Sequence, residues 1–221
     1  MNKRRQRILL FVLILISAGF LALTALVILF PASSLDIGIS HEIQEHHNAF
    51  IDELMYLVSC PGYMPEAPIM IGGVSLLLLL FKYKKAALFV LLTMLSGLIS
   101  TIVKALVNRP RPSEDIVHIV LKTKQQSFPS GHVMFYVIFF GFLCVLMYQL
   151  QGIPKVLRIL VIAFSLALMF IIPVSRIYMG AHWFTDVLGG FLMGLVCLYL
   201  LSWLYLRKRA DKEEAPVAET K

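Results

Sequence analysis

The stretch SRIYMGAHWFTD, Ser175 to Asp186, lies between apolar runs at 159–174 and 183–206 and carries Arg176, His182 and Asp186 within eleven positions. Ionisable groups beside hydrocarbon are expensive, so they face a protein interior, a wet cavity or the headgroups. Whether the flanking runs cross a membrane therefore decides both the fold and the meaning of these residues. Of 221 residues, 59% are hydrophobic and 15% charged, with a mean hydropathy of +0.82. That is too apolar for an ordinary soluble domain and reads as a polytopic membrane protein.

A helix needs about 20 apolar residues to cross a bilayer core. Six segments meet or approach that length: 8–30, 68–81, 86–107, 133–150, 159–174 and 183–206, the second and fifth being short. The first follows a basic start, but its apolar run exceeds the roughly 7 to 15 residues of a signal h-region. We read it as a retained helix. With no internal repeat and no long linker, the expectation is an all-α protein with six transmembrane helices in one bundle. The expected organisation is a basic N-terminus at 1–7, a helical domain at 8–206 and a polar tail at 207–221, disordered from 210 because it lacks aromatics and apolar runs.

If six helices alternate, fourteen of the 20 Lys and Arg residues fall on one side, which the positive-inside bias makes cytoplasmic. Both termini lie there, and the net charge of +7 is mostly this topology signal. Nucleic-acid binding is thereby excluded as its cause. Cys60, Cys144 and Cys197 cannot make a disulfide framework, since two of them sit inside expected helices.

The first outer connection, 31–67, contains Phe50, Ile51, Leu54, Met55 and Val58 on one helical face, with Asp52 and Glu53 opposite. That pattern predicts an interfacial helix on the outer membrane surface, ended by Pro61-Gly62. The run from His41 to His47 fails HExxH, because Glu45 stands where the second His is required. It reads as a solvated loop or helix face.

Three polar clusters fall at outer helix ends. Lys104 lies near the end of the third run, and Pro110 and Pro112 carry the chain out of that helix, leaving Arg111 just beyond. In Ser127-Phe-Pro-Ser-Gly-His132, Ser130 suits an N-cap, Gly131 allows close backbone approach, and a helix N-terminus attracts anions. In the opening stretch, His182 and Asp186 are four apart and share a helical face, so the carboxylate can orient the imidazole. Each cluster alone has a structural reading as a snorkelling cation, an ordinary cap or a structural pair. Together they supply Lys104, Arg111 and Arg176 as cations, Ser130 and Gly131 as donors, and two histidines. That set suits a phosphoryl group, whose transition state spreads charge over three equatorial oxygens.

Lys104-x6-Arg111-Pro112, Pro129-Ser130-Gly131-His132 and Ser175-Arg176-x5-His182-x3-Asp186 resemble, complete and in order, the three signature motifs of the type 2 phosphatidic acid phosphatase superfamily. Spacing assigns the motif arginine to Arg111, not Arg109. The resemblance implies a six-helix lipid phosphatase over about residues 8 to 206. It implies His182 as nucleophile forming a phosphohistidine, oriented by Asp186, and His132 as general acid. Lys104, Arg111, Ser130, Gly131 and Arg176 would hold the phosphate. No metal or other cofactor is implied, and Glu114 and Asp115 read as loop residues.

The expected partner is the bilayer and a membrane lipid carrying a phosphate monoester or diphosphate, met at the outer face of a plasma membrane. Undecaprenyl diphosphate, phosphatidylglycerophosphate and phosphatidate are the substrates the resemblance suggests. A lipid phosphotransferase would carry the same motifs. A non-catalytic transporter or anionic-lipid binder would use the cations but has no need of the His182–Asp186 pair opposite a second histidine.

Overall fold

A computed structural model describes residues 3–123 and 125–213, and among these residues every helix or strand assigned is a helix. In chain order they are α1 (Lys3–Leu29), α2 (Ser34–Gln44), α3 (Ala49–Ser59) with a 3-10 turn at Cys60–Gly62, α4 (Glu66–Leu80), α5 (Lys84–Leu92), α6 (Leu95–Val107), α7 (Gly131–Gln149), α8 (Lys155–Tyr178) and α9 (Phe184–Glu213). Among the described residues five spans are long and apolar enough to cross a membrane: α1, α5 with α6, α7, α8 and α9. The run at 68–81 is the exception, because α4 has 15 residues and at 1.5 Å per residue spans only about 22 Å. It reaches span length only together with α3, across a bend of 57°. The chain is thus an all-helical, multi-span membrane protein.

Helix α7 is the hub. Most of its residues are buried, and its aromatic rings pack into the neighbouring helices, Phe142 against Phe89 and Tyr205 at centroid distances of 6.2 and 5.4 Å. Against α9 the approach is closer than side chains permit. A Cβ at Gly190 would stand 2.5 Å from the Ser130 carbonyl oxygen, and one at Gly194 would stand 2.8 Å from Val137 Cβ. Gly190-x3-Gly194 is the small-x3-small spacing by which helix backbones meet in lipid. Its effect is local to the polar end, where Ser130 N–H donates to the Asp186 carbonyl at 2.9 Å.

The first outer connection holds more structure than its hydropathy implies. Helix α3 matches the expected amphipathic segment, capped by Asn48 Oδ1, which accepts from Ile51 N–H at 3.0 Å. Its Phe50, Leu54 and Leu57 are exposed, while Ser175 Oγ donates to its Met55 carbonyl at 2.7 Å. Helix α2 was not anticipated. Ser33 caps it, accepting from Asp36 N–H at 3.2 Å, and it buries Asp36, Ser40 and Gln44. A helix whose inward face is polar gives no hydropathic signal. The expected solvated run at His41 is also partly anchored, since the His41 ring bonds the Ile116 carbonyl at 2.7 Å. Helix α9 continues to Glu213, past residue 206, and the rest of the expected tail, 214–221, lies outside the described residues.

Candidate active site

Four helix ends and two loops meet at one pole of the bundle. Helix α6 stops at Asn108, whose left-handed backbone (φ 49°) turns the chain into the Arg-Pro-Arg-Pro segment. Beyond α8, Gly180 adopts φ +64°, and a Cβ there would lie 2.3 Å from the His118 carbonyl oxygen. Only glycine fits that turn. It brings His182 back so that its N–H bonds the Arg176 carbonyl at 3.2 Å.

The eight residues anticipated from sequence gather here. Both His182 (2% exposed) and Asp186 (0%) are buried. His182 Nδ1 lies 3.5 Å from Asp186 Oδ2 and 3.5 Å from Ser127 Oγ. Its Nε2 lies 3.3 Å from Arg111 Nη1. With Nδ1 protonated toward the carboxylate side, the Nε2 lone pair is on the Arg111 side, where it accepts from the guanidinium and would have to be released to meet an electrophile. Burial and the nearby Arg111, Lys104 and Arg176 charges hold the His182 pKa well below the ordinary 6.5. That environment favours the neutral form of the ring. Burial, followed by Arg176, draws Arg111 down to about 10, so it stays a cation.

The cations are fixed by neutral groups, backbone carbonyls for Lys104 and Arg111 and hydroxyls for Arg176, rather than by acids. Lys104 Nζ donates to the Gln126 carbonyl at 2.6 Å, and Arg111 donates to the carbonyls of Gln125 (2.5 Å) and Ala181. Arg176 Nη1 donates to Tyr63 Oη at 2.8 Å and Ser59 Oγ at 3.0 Å. These neutral carbonyl and hydroxyl dipoles orient the cations without cancelling their charge.

The expected cap at Ser130 is not made. Ser130 occupies the N-cap position of α7, but its hydroxyl bonds no backbone N–H. Ser130 Oγ is buried without a partner in the protein, as are His132 Nε2, Arg176 Nε, Thr123 Oγ1 and Ser100 Oγ. Buried polar atoms are otherwise almost always paired. All but Ser130 belong to residues lining a cavity of about 670 Å³, together with Lys104, Arg111, Gly131 and His182. The same cavity continues along Ala67, Pro68 and Ile71 of α4, Met94 just before α6, and Gly97 and Thr101 of α6. One end is cationic and rich in unused donors, and the other is apolar.

Several contributors escaped the sequence reading. Arg109 is 2% exposed and donates to Asp186 Oδ1 at 2.5 Å and Asp36 Oδ2 at 2.7 Å. Ser127 Oγ donates to Asp186 Oδ2, which also accepts from Trp183 N–H at 2.9 Å. Tyr63 lies edge-on to the His132 ring with centroids 4.6 Å apart. Of these, only the doubled Arg-Pro was visible as a signal. Glu114 remains a loop residue, paired with Lys122 at 2.6 Å. Among the described residues no group of three or more His, Cys, Asp or Glu side chains could hold a metal ion.

The sequence profile of the PAP2 superfamily matches residues 85–210, which contain all three motifs. The chain belongs to this superfamily. It is similar to phosphatidylglycerophosphatase B of Bacillus subtilis (strain 168), 33% identical over 130 residues, which are 56% of this chain and 61% of that protein. The alignment thus spans less than two thirds of that PAP2 relative. The fold is similar to the crystal structure of the first transmembrane PAP2-type phosphatidylglycerolphosphate phosphatase from Bacillus subtilis, with a TM-score of 0.75 and 22% identity, covering 93% of this chain and 98% of that one. It is also similar to that of Aquifex aeolicus LpxE, with a TM-score of 0.60 and 20% identity over 80% and 98% of the two chains.

Proposed function

We propose that this PAP2 protein is an integral-membrane lipid phosphatase. It cleaves a phosphate monoester or diphosphate of a membrane lipid through a phosphohistidine intermediate, without a metal. The observation that carries the reading is the cavity itself. His182 and His132 line one cationic chamber that runs on into an apolar groove between α4 and α6 side chains. A soluble phosphate ester has no use for the groove, whereas a lipid's chains fill it.

The phosphoryl oxygens lie among Lys104, Arg111, Arg176, Ser130 and the Gly131 backbone. Cations and neutral donors aimed at the equatorial oxygens stabilise the transition state. His182 Nε2 attacks phosphorus, and the P–N bond forms as the bond to the leaving oxygen breaks. His132 gives that oxygen its proton. The positive charge that develops on the His182 ring is met by Asp186. Water then attacks phosphorus, His132 takes its proton back, the P–N bond breaks and inorganic phosphate leaves. The donor set serves anion binding directly, since the one carboxylate beside His182 is already held by Arg109, Ser127 and Trp183 N–H.

Counting the bent α3–α4 pair as one crossing, the chain crosses six times with α3 at the outer interface. Positive-inside bias then puts both termini in the cytoplasm and the cavity at the outer face of the plasma membrane. The organisation is a basic N-terminus at 1–7, a catalytic domain at 8–206 and a cytoplasmic tail. The substrates to assay are phosphatidylglycerophosphate, phosphatidate and undecaprenyl diphosphate. In detergent, phosphate release from at least one of them exceeds that from p-nitrophenyl phosphate by 100-fold or more in kcat/KM, on the order of 3 kcal/mol of binding from the lipid chains. Equal turnover of the soluble ester, or none of any lipid, contradicts the reading.

A further inference from the structure

We propose that Asp36 and Arg109 are a positioning pair that sets the orientation and proton affinity of the attacking histidine from behind. This rests on the reading of His182 as nucleophile and extends the site to α2, which lies outside the segment matched by the superfamily.

Arg109 and Asp36 are 2% and 0% exposed. Each nitrogen of the guanidinium is engaged: Nη1 with Asp186 Oδ1 at 2.5 Å and Thr185 Oγ1 at 2.7 Å, Nη2 with Asp36 Oδ2 at 2.7 Å, and Nε with the Pro31 carbonyl at 2.9 Å. Asp36 is bound in turn by Thr185 N–H at 2.9 Å and by Ser33 Oγ at 2.9 Å. Arg109 thus grips one oxygen of Asp186, while Ser127 and Trp183 N–H grip the other, the one 3.5 Å from His182 Nδ1. The carboxylate cannot rotate without breaking a buried charge-assisted bond. Neither Arg109 nor Asp36 lines the cavity. Arg109 is therefore a different kind of arginine from Arg111, although only Pro110 separates them.

Two carboxylates against one guanidinium leave one net negative charge behind His182. In front, the ring faces Arg111, Lys104 and Arg176, and His132 and Ser127 complete its surroundings. Removing Asp36 leaves Arg109 to neutralise Asp186 alone, so a proton on His182 is less favoured. The acid limb of kcat/KM must then move to lower pH. A residue that only holds the fold together has no reason to move it.

The test compares Asp36→Asn, Arg109→Lys and Arg109→Gln with wild type in detergent, each normalised to folded protein, with inorganic phosphate as a competitive inhibitor. Asp36→Asn is expected to lower kcat about tenfold and move the acid limb down by several tenths of a pH unit. Arg109→Gln is expected to lower kcat about 100-fold, with KM and the phosphate inhibition constant within about threefold of wild type, because the phosphate cradle is intact. Arg109→Lys is expected to recover part of the loss and keep the limb in place. Unchanged kcat in Asp36→Asn and Arg109→Lys, or an unmoved acid limb in Asp36→Asn, overturns the proposal. So does a phosphate inhibition constant that rises in step with the loss of kcat. His182→Ala separates the two levels: activity surviving there sinks the nucleophile assignment, whereas an inactive His182→Ala beside indifferent Asp36 and Arg109 variants sinks only the positioning pair.

Discussion

Gly62 lies face to face with His132: a Cβ built on Gly62 would stand 2.4 Å from His132 Cδ2 and 3.0 Å from Nε2. The turn that ends α3 is therefore shaped around the imidazole that we assign to protonate the leaving group, with Tyr63 against the same ring. Gly62→Ala must displace that ring while adding a single methyl. Overpacking of this kind costs about 1–3 kcal/mol, so kcat for a lipid alkoxide leaving group is expected to fall 10-fold or more. A substrate with an acidic phenol as leaving group needs less protonation and is expected to lose less. Steady-state kinetics on the two substrate types check this, and equal losses on both speak against His132 as the acid.

Ser100 offers a second test at the junction of chamber and groove. Its hydroxyl is buried without a partner, sits one turn below Lys104 on α6, and lies 3.1 Å from a Cβ position built on Gly131. A substrate oxygen placed there can accept its hydrogen bond. Ser100→Ala is expected to lower kcat/KM by about 5- to 10-fold, the worth of one neutral hydrogen bond, with no loss of thermal stability. Improved turnover would show that the hydroxyl is not used.

The pH dependence carries a definite sign. His182 is held well below 6.5 and acts as the neutral ring, so the acid limb of kcat/KM, corrected for substrate ionisation, is expected to lie below pH 6.5. For stability, the unfolded chain binds the proton on His182 more readily than the folded one. That contribution is intact above the unfolded pKa and is lost as pH falls from about 6.5 toward the folded value. A rate profile titrating above 6.5 contradicts the cationic environment assigned to the ring.

Helix packing and catalysis should fail together at Gly194. Its Cβ position is 2.8 Å from Val137 Cβ, and the α7–α9 contact it permits also holds Ser130 N–H on the Asp186 carbonyl at 2.9 Å. Gly194→Val is expected to lower stability by about 1–3 kcal/mol and to depress kcat beyond the loss of folded protein. Thermal unfolding in detergent beside active-fraction kinetics measures both.

Orientation is tested at His46, whose side chain is 86% exposed beyond the end of α2. His46→Cys is expected to react with a membrane-impermeant maleimide in intact cells, above the wild-type background. Labelling that requires permeabilisation inverts the proposed topology.

The candidate site was legible in the sequence where it is built from spaced polar residues set against apolar runs. Lys104, Arg111, His132, Arg176 and His182 stood out because hydrocarbon makes each of them anomalous, and all five line the same cavity. The supporting residues did not stand out. Asp36 lies in a stretch whose buried face is polar, so its helix left no periodic trace, and its partner Arg109 lies 73 positions away. Gly62 read as a helix stop, since its neighbour His132 is 70 positions away and only the folded chain brings them together. Ser130 was expected to cap α7, but its hydroxyl bonds no backbone N–H and is buried without a partner, while its own N–H is taken by the Asp186 carbonyl. The cap assigned to Ser130 is the local reading that the fold overturns.

The central claim is a covalent bond between phosphorus and His182 Nε2. Rapid acid-free quenching of enzyme with a lipid substrate labelled in its terminal phosphate, followed by peptide mapping, tests it directly. The account predicts an acid-labile, base-stable label on His182 in the wild type, and neither label nor phosphate release in His182→Ala. Phosphate release from His182→Ala at the wild-type rate, or label carried on any other residue, would contradict it.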